Sequence, residues 1–295
     1  MKKVIGVDLG GSSVKAVAVT EVGEKLGDAN QAFDEQQEMA FAKTIASVVK
    51  DLEAAHGEAD SIGLSAPGLA AKDGRSIAYL PNRLDGMEEL DWTDFLKRGT
   101  PVPVLNDAHA ALLGEVWLGA AKGLSNVIML TLGTGVGGAA MVDGNLLRGH
   151  TGKAGHLGHT CLDTRGEPDI CGTPGSLEVM IGNCTIGQRS GDKFESTHDL
   201  IEAVRNGNTH AEKVWLNSVR ALGCAIGTFS NVLDPEVAVI GGGIARAGEL
   251  LFEPLRKVVD EVEWKVCGHD LRLAAAEMGE LAGAYGAAWN AIRRS

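Results

Sequence analysis

The sequence is poor in several features that would announce a class of protein. Aromatic residues make up only 4% of its 295 positions. Cysteine is sparse and scattered: Cys161, Cys171, Cys184, Cys224 and Cys267 contain no C-x-x-C pair, so a disulfide framework is not expected and a reducing cytoplasm fits best. No stretch approaches the ~20 apolar residues that a membrane-spanning helix requires. The opening MKKVIGVDLGG is too short in apolar residues for a signal-peptide core. Lys and Arg total 27 against 39 Asp and Glu, a net charge of −12, and no basic cluster supplies the footprint that nucleic acid demands. Flexible linkers and low-complexity segments are missing as well.

What is abundant is glycine, 40 residues of it, mostly set between apolar runs where the backbone turns tightly. Apolar residues at 44% and charged residues at 22% are ordinary globular composition. A chain of this length is expected to form two domains.

The chain reads as α/β. KVIGVD (3–8), the turn LGGSS and VKAVAV (14–19) predict strand, glycine turn, strand; 38–56 carries helical spacing. IGLSAPG (62–68) and VPVLND (102–107) read as strands, the second followed by the helix-like AHAALLGEVWLGAA. The layout then restarts: NVIMLTLGTGVGGAAMVDG (126–144) is again strand, glycine turn, strand, which points to a distant duplication. Beyond a polar stretch (183–197) come helices near 198–206 and 209–232, a strand EVAVI (236–240), three glycines, a helix at 245–259, and a small-residue C-terminal helix able to pack on the first half. The expected boundaries are 1–118 with helix 278–295 for one domain and 119–277 for the other.

GTGVGG (133–138) matches G-x-G-x-x-G, but the dinucleotide fingerprint needs a helix to follow and AAMVDG reads as a strand. What remains is a glycine hairpin whose N–H groups and Thr134 hydroxyl can face an anion. DLGGSS (8–13) is a second such hairpin, opened by a carboxylate. Together they suit a Mg–triphosphate: glycines allow close approach, Ser12, Ser13 and Thr134 donate, and Asp8 holds the metal, directly or through water. Each taken alone could equally be a sharp β-turn. VIGGGIARAGELL (239–251) runs strand, glycines, helix, an arrangement that serves a ribose or phosphate, or simply a tight connection.

In PVLNDAHAALLGE, Asp107 stands where strand gives way to helix. The commonest task of an Asp there is to cap the helix. The functional reading is a general base that takes a hydroxyl proton during phosphoryl transfer, with Asn106 orienting sugar hydroxyls.

VDLGGSSVKAVAV, SAPGL with PN downstream, LNDAHAALLGE, LTLGTGVGGAAMVDGNLLRG, AGHLGH, CGTPGSLE and PEVAVIGGGIARAG occur in the order and approximate spacing of the ROK family of bacterial sugar kinases and repressors. The chain resembles that family over nearly its whole length. The resemblance implies two actin-like ATPase (ribonuclease H-like) domains with a ligand cleft between them, and ATP- and Mg-dependent phosphorylation of a hexose, usually at the 6-hydroxyl. It implies Asp107 as catalytic base, with Gly68, Asn82, Asn106, His159 and Glu178 near the sugar. Gly10, Gly11, Ser12, Ser13, Gly133, Thr134 and Gly135 match the phosphate loops, and Gly241, Gly242 and Gly243 the adenosine side. Family habit adds a cytoplasmic homodimer.

Two departures stand out. His156 occupies the place of the family's Glu in A-G-E-x-G-H; imidazole donates and accepts where carboxylate only accepts, so the preferred hexose is open. The family's zinc site uses the His of G-H and three cysteines, whose positions here hold Asp169, Cys171 and Ser176. His159 and Cys171 survive, with Cys161 or Asp169 as weak supplements, and a zinc-free, hydrogen-bonded loop is expected. Two other functions occur with the same pattern. Family repressors carry a helix-turn-helix ahead of the first hairpin, for which a hairpin starting at residue 8 leaves no room. A catalytically silent sugar sensor is opposed by the presence of Asp8, Asp107 and all three glycine turns.

Overall fold

Apolar residues of the first strand, Val4, Ile5, Val7 and Leu9, are all buried, as are Phe41, Ile45, Val48, Val49 and Leu52 of the first helix at three- and four-residue spacing. The computed structural model from which these positions are read describes every residue except Cys267, His269 and Ser295. Cys267, counted among the cysteines above, lies outside the described residues. The other four cysteines are free thiols.

The chain forms two compact units: Met1–Gly123 with Arg148–Ala154 and the segment from Glu277 onward, and Leu124–Leu147 with Gly155–Ala276. The first contains β1 (Lys3–Leu9), β2 (Ser13–Thr20), β3 (Lys25–Ala32), α1 (Ala40–His56), β4 (Ser61–Ala66), β5 (Leu69–Ala70), β6 (Ile77–Tyr79), α2 (Trp92–Phe95), β7 (Val104–Asn106) and α3 (Asp107–Leu118). Its main sheet has the order β3-β2-β1-β4-β7, antiparallel through β3, β2 and β1 and parallel from β1 through β4 to β7.

The second unit contains β8 (Val127–Leu132), β9 (Val136–Val142), β10 (Asn145–Leu146), α4 (Leu177–Ile181), α5 (Ile186–Ser190), α6 (Thr197–Arg205), α7 (Thr209–Leu233), β11 (Val237–Gly241), α8 (Glu249–Val262) and β12 (Arg272–Ala275). Its sheet, β10-β9-β8-β11-β12, repeats the first in order and direction. The duplication read from the glycine hairpins is thus a duplication of sheet topology. One expectation needs correction. A helix does not follow directly on Gly243: a 3₁₀ turn (Ile244–Ala247) intervenes, the chain turns at Gly248 with φ 63°, and α8 starts only at Glu249. Gly248 carries the positive φ that ends the first turn and reorients the second.

The last helix, α9 (Ala282–Arg294), belongs to the first unit and packs on β1, β4 and α3. Apart from Tyr285 and Asn290, its buried residues are all small: Ala282, Gly283, Ala284, Gly286, Ala287, Ala288 and Ala291. Backbone meets backbone there. A side chain at Gly6 would collide with the Ala284 carbonyl, one at Gly63 with the Ala287 carbonyl, and one at Gly286 with the Ala110 carbonyl. The fully buried Glu115 of α3 fastens the approach to this helix. Its carboxylate accepts the N–H groups of Ala120 at 2.8 Å, Glu277 at 3.0 Å and Met278 at 2.8 Å.

Candidate active site

In the first unit, Asp8 lies near the carboxyl end of β1, in register with Lys15 of β2 and Ser65 of β4. The Ser65 hydroxyl donates to Asp8 Oδ1 at 2.6 Å. Burial pushes the Asp8 carboxyl up to about 6, the Ser65 bond opposes this, the like charge of Asp107 adds to it, and Lys15 opposes it. An acidic group so placed gains from a nearby cation. The adjoining loop Gly10–Ser12 is closed by the Gly10 N–H on the Ser13 carbonyl at 2.9 Å, and Ser12 is exposed at its tip.

Asn106, not Asp107, caps α3. Its side-chain oxygen accepts the N–H groups of Ala108 at 3.0 Å and His109 at 3.4 Å, and its amide nitrogen donates to the Gly68 carbonyl at 2.9 Å. Asn106 is buried and largely committed to backbone; Asp107 is exposed in the first turn of α3, with Oδ1 also accepting the Ala108 N–H at 2.8 Å. The cap residue leaves the following carboxylate at a helix N-terminus, where a negative charge is stabilised. Gly68 follows β4 with φ 93°, and Asn82 stands exposed with φ 59°.

In the second unit, the loop Gly133–Gly135 joins β8 to β9 and is closed by the Gly133 N–H on the Gly135 carbonyl at 2.9 Å. The Gly133 and Thr134 carbonyls accept the N–H groups of Asn183 at 3.0 Å and Cys184 at 2.8 Å. Glu178, in the first turn of α4, accepts the Val136 N–H at 2.9 Å, and its carboxylate lies over Gly135. Gly242 sits against the Leu132 backbone, so Gly241–Gly243 adjoin the start of this loop.

His156 and His159 bracket a 3₁₀ turn, Leu157–His159, with the His159 N–H on the His156 carbonyl at 3.3 Å. Gly158 in that turn allows it to lie directly on β9: a side chain there would strike the Val136 carbonyl. The half-buried His159 ring places Nδ1 2.8 Å from Asp169 Oδ2 and Nε2 3.6 Å from Cys171 Sγ. Burial alone would raise the Asp169 carboxyl, but bonds from His159, Thr173, Ser176 and Cys171 outweigh it and hold the group below its usual range. Burial, with Asp169 and Glu178 nearby, pushes the Cys171 thiol up.

Sequence reasoning passed over Ser65 and Lys15, whose relation to Asp8 appears only once strands are paired, and over Asn183 and Cys184, whose backbones pin the second loop. It also passed over Arg189. That half-buried guanidinium reaches the Gly182 carbonyl at 2.7 Å and the Ser218 hydroxyl at 2.6 Å, and so braces the segment holding Asn183.

Two sheets of one strand order, each with a glycine loop between antiparallel strands, define an actin-like ATPase fold. The chain belongs to the ROK family, whose model matches residues 4–294. It is 34% identical to a glucokinase of Thermotoga maritima across 97% of this chain and 96% of that one. The crystal structure of the ROK hexokinase from Thermus thermophilus superposes with a TM-score of 0.86 at 30% identity, covering 99% of this chain and 98% of that one. A ROK family glucokinase from Streptomyces griseus, crystallised with glucose and AMPPNP, gives a TM-score of 0.81 at 28% identity over 99% and 100% of the two chains.

Proposed function

We propose that this sugar kinase transfers the γ-phosphoryl group of ATP to a hexose hydroxyl, the 6-hydroxyl, with Asp107 as general base. The observation that carries the reading is the division of labour at the start of α3. Asn106 caps α3, and Asp107, which shares the Ala108 N–H through Oδ1 at 2.8 Å, stands exposed beside it with its charge felt at Asp8. In the step, the sugar O–H gives its proton to Asp107 and the oxygen attacks the γ-phosphorus. The bond from that phosphorus to the β,γ-bridging oxygen breaks, and ADP leaves. The loops at Gly10–Ser13 and Gly133–Gly135 serve the phosphates, and Gly241–Gly243 the adenosine side.

Asp8 has the chemistry of a magnesium partner: an acidic oxygen disfavoured as an anion until a cation arrives. When bound, the ion would offset phosphate charge, with Asp8 holding it directly or through water. Gly68, Asn82, Asn106, His156, His159 and Glu178 are assigned to sugar recognition. Asn106 acts mainly by fixing Gly68 and α3, since its oxygen and one amide hydrogen are already used.

The test is ADP release from MgATP with glucose, mannose, fructose, allose, N-acetylglucosamine and N-acetylmannosamine. At least one sugar should be turned over, and Asp107→Asn should lose activity by about 10²-fold or more. No turnover with any of them would sink the reading; saturable sugar binding without ADP would make the protein a sensor instead.

A further inference from the structure

The segment following His159 is where the family resemblance implies zinc, and the residues at the ligand positions are His159, Asp169, Cys171 and Ser176. Among the described residues, one ligand atom from each of His159, Asp169 and Cys171 lies within 4.8 Å of the others. Whether they fit a metal is decided by their lone pairs. A carboxylate offers about four acceptor sites. Asp169 Oδ1 accepts the N–H groups of Cys171 and Thr173, each at 2.9 Å. Oδ2 accepts from His159 Nδ1 at 2.8 Å, and Ser176 helps to hold the carboxylate below its usual range. At least three acceptor sites are taken. His159 Nε2, Cys171 Sγ and at most one Asp169 lone pair remain, fewer than the four ligands of a closed structural zinc site. The donor set does not fit zinc.

We infer that the Asp169 carboxylate replaces the ion as the organising centre of this loop and fixes His159 in its Nδ1–H tautomer, making Asp169 a positioning residue for sugar recognition. The side chain is 1% exposed and ties together three features. These are the turn closed by the Asp169 N–H on the Thr173 carbonyl at 3.0 Å, the Ser176 cap of α4, and the His159 ring. An ionised carboxylate can only accept, so the ring nitrogen facing it must carry the proton. In the neutral ring Nε2 is then the lone-pair side. It is shared with the weak Cys171 thiol donor at 3.6 Å and remains open to a stronger donor such as a sugar hydroxyl. Asn at 169 would present an N–H₂ group toward the ring or lose the two backbone donors, and either result reverses or frees the tautomer.

The link to sugar recognition rests on the kinase reading; the tautomer and the metal content do not, so the two can fail separately. Nitrogen NMR of histidine-labelled protein should show His159 protonated at Nδ1 and bare at Nε2 in the wild type, and the pattern should be lost in Asp169→Asn. Elemental analysis after incubation with zinc and desalting should find far less than one zinc per chain, with the thermal midpoint unmoved by chelator. In steady-state kinetics, Asp169→Asn should raise the hexose KM by about tenfold with kcat little changed, the loss of one oriented hydrogen bond. An Nε2-protonated wild-type ring, a retained equivalent of zinc, or a variant with altered tautomer but unaltered KM would overturn the inference. Should Asp169→Asn not fold, Ser176→Ala removes one donor and spares the Nδ1 contact. Retention of the wild-type tautomer then supports the inference, and its loss overturns it.

Discussion

The backbone N–H of Val136 donates to the carboxylate of Glu178 at 2.9 Å, fastening the first turn of α4 to the loop that joins β8 and β9. If that loop receives phosphate, cutting the bond should be felt by the nucleotide. Glu178→Ala should raise the KM for ATP by about tenfold in addition to raising that for the sugar, and Glu178→Gln, which keeps an acceptor oxygen, should raise the ATP value by less. A change confined to the sugar KM would show that the bond to Val136 has no part in nucleotide binding.

Asp8 sets function against stability. Its carboxyl lies at about 6 in the folded chain against 3.8 ordinarily, so the folded state holds this proton more tightly than the unfolded one. Stability from this group is therefore greatest at low pH and declines as pH rises through that window, by on the order of 3 kcal/mol. Asp8→Asn, compared with wild type by denaturant titration without ligands, should gain stability near neutral pH and lose that slope, while losing kinase activity. Equal slopes in the two proteins would refute the assignment.

Pro254 lies inside α8 and has no N–H to give the Leu250 carbonyl four residues earlier; the indole N–H of the buried Trp215 supplies the bond at 2.9 Å. Trp215→Phe should cost about 1–3 kcal/mol for the stranded carbonyl, in addition to any repacking. Pro254→Ala restores a backbone donor and should recover part of that loss, so a double-mutant cycle should be non-additive. Strict additivity would mean that the indole bond contributes nothing.

His156→Glu restores the carboxylate usual in the family. The order of preference across the hexose panel should change, because an acceptor-only group replaces one that also donates. An unchanged order would place His156 away from the sugar.

The two glycine hairpins, the buried strands and the long helices were legible because alternating apolar residues and glycine turns encode them directly. β3, with the sequence KLGDANQA, was not: it is a largely exposed edge strand that has no apolar rhythm to announce it. The four-residue β12 escaped for a similar reason. At 106 and 107, two residues equally able to cap a helix stand side by side, and only the fold shows the Asn106 oxygen accepting both the Ala108 and His109 N–H groups. The break at Gly248 was hidden because the residues on both sides of it suit a helix. Asp169 was visible as a departure, but the four donors around it come from residues up to ten positions away and meet only in the fold.

The glycine faces beneath α9 bear on the order in which the protein can be made. β1, β4 and α3 leave the ribosome early, yet the helix that covers Gly6 and Gly63 is synthesised only after the entire second unit. That second unit lies wholly within residues 124–276 and can close on itself during translation. The first must wait with an open sheet face, so the half that carries Asp8 and Asp107 is the last to be completed. During that interval it is the half exposed to chaperones and proteases.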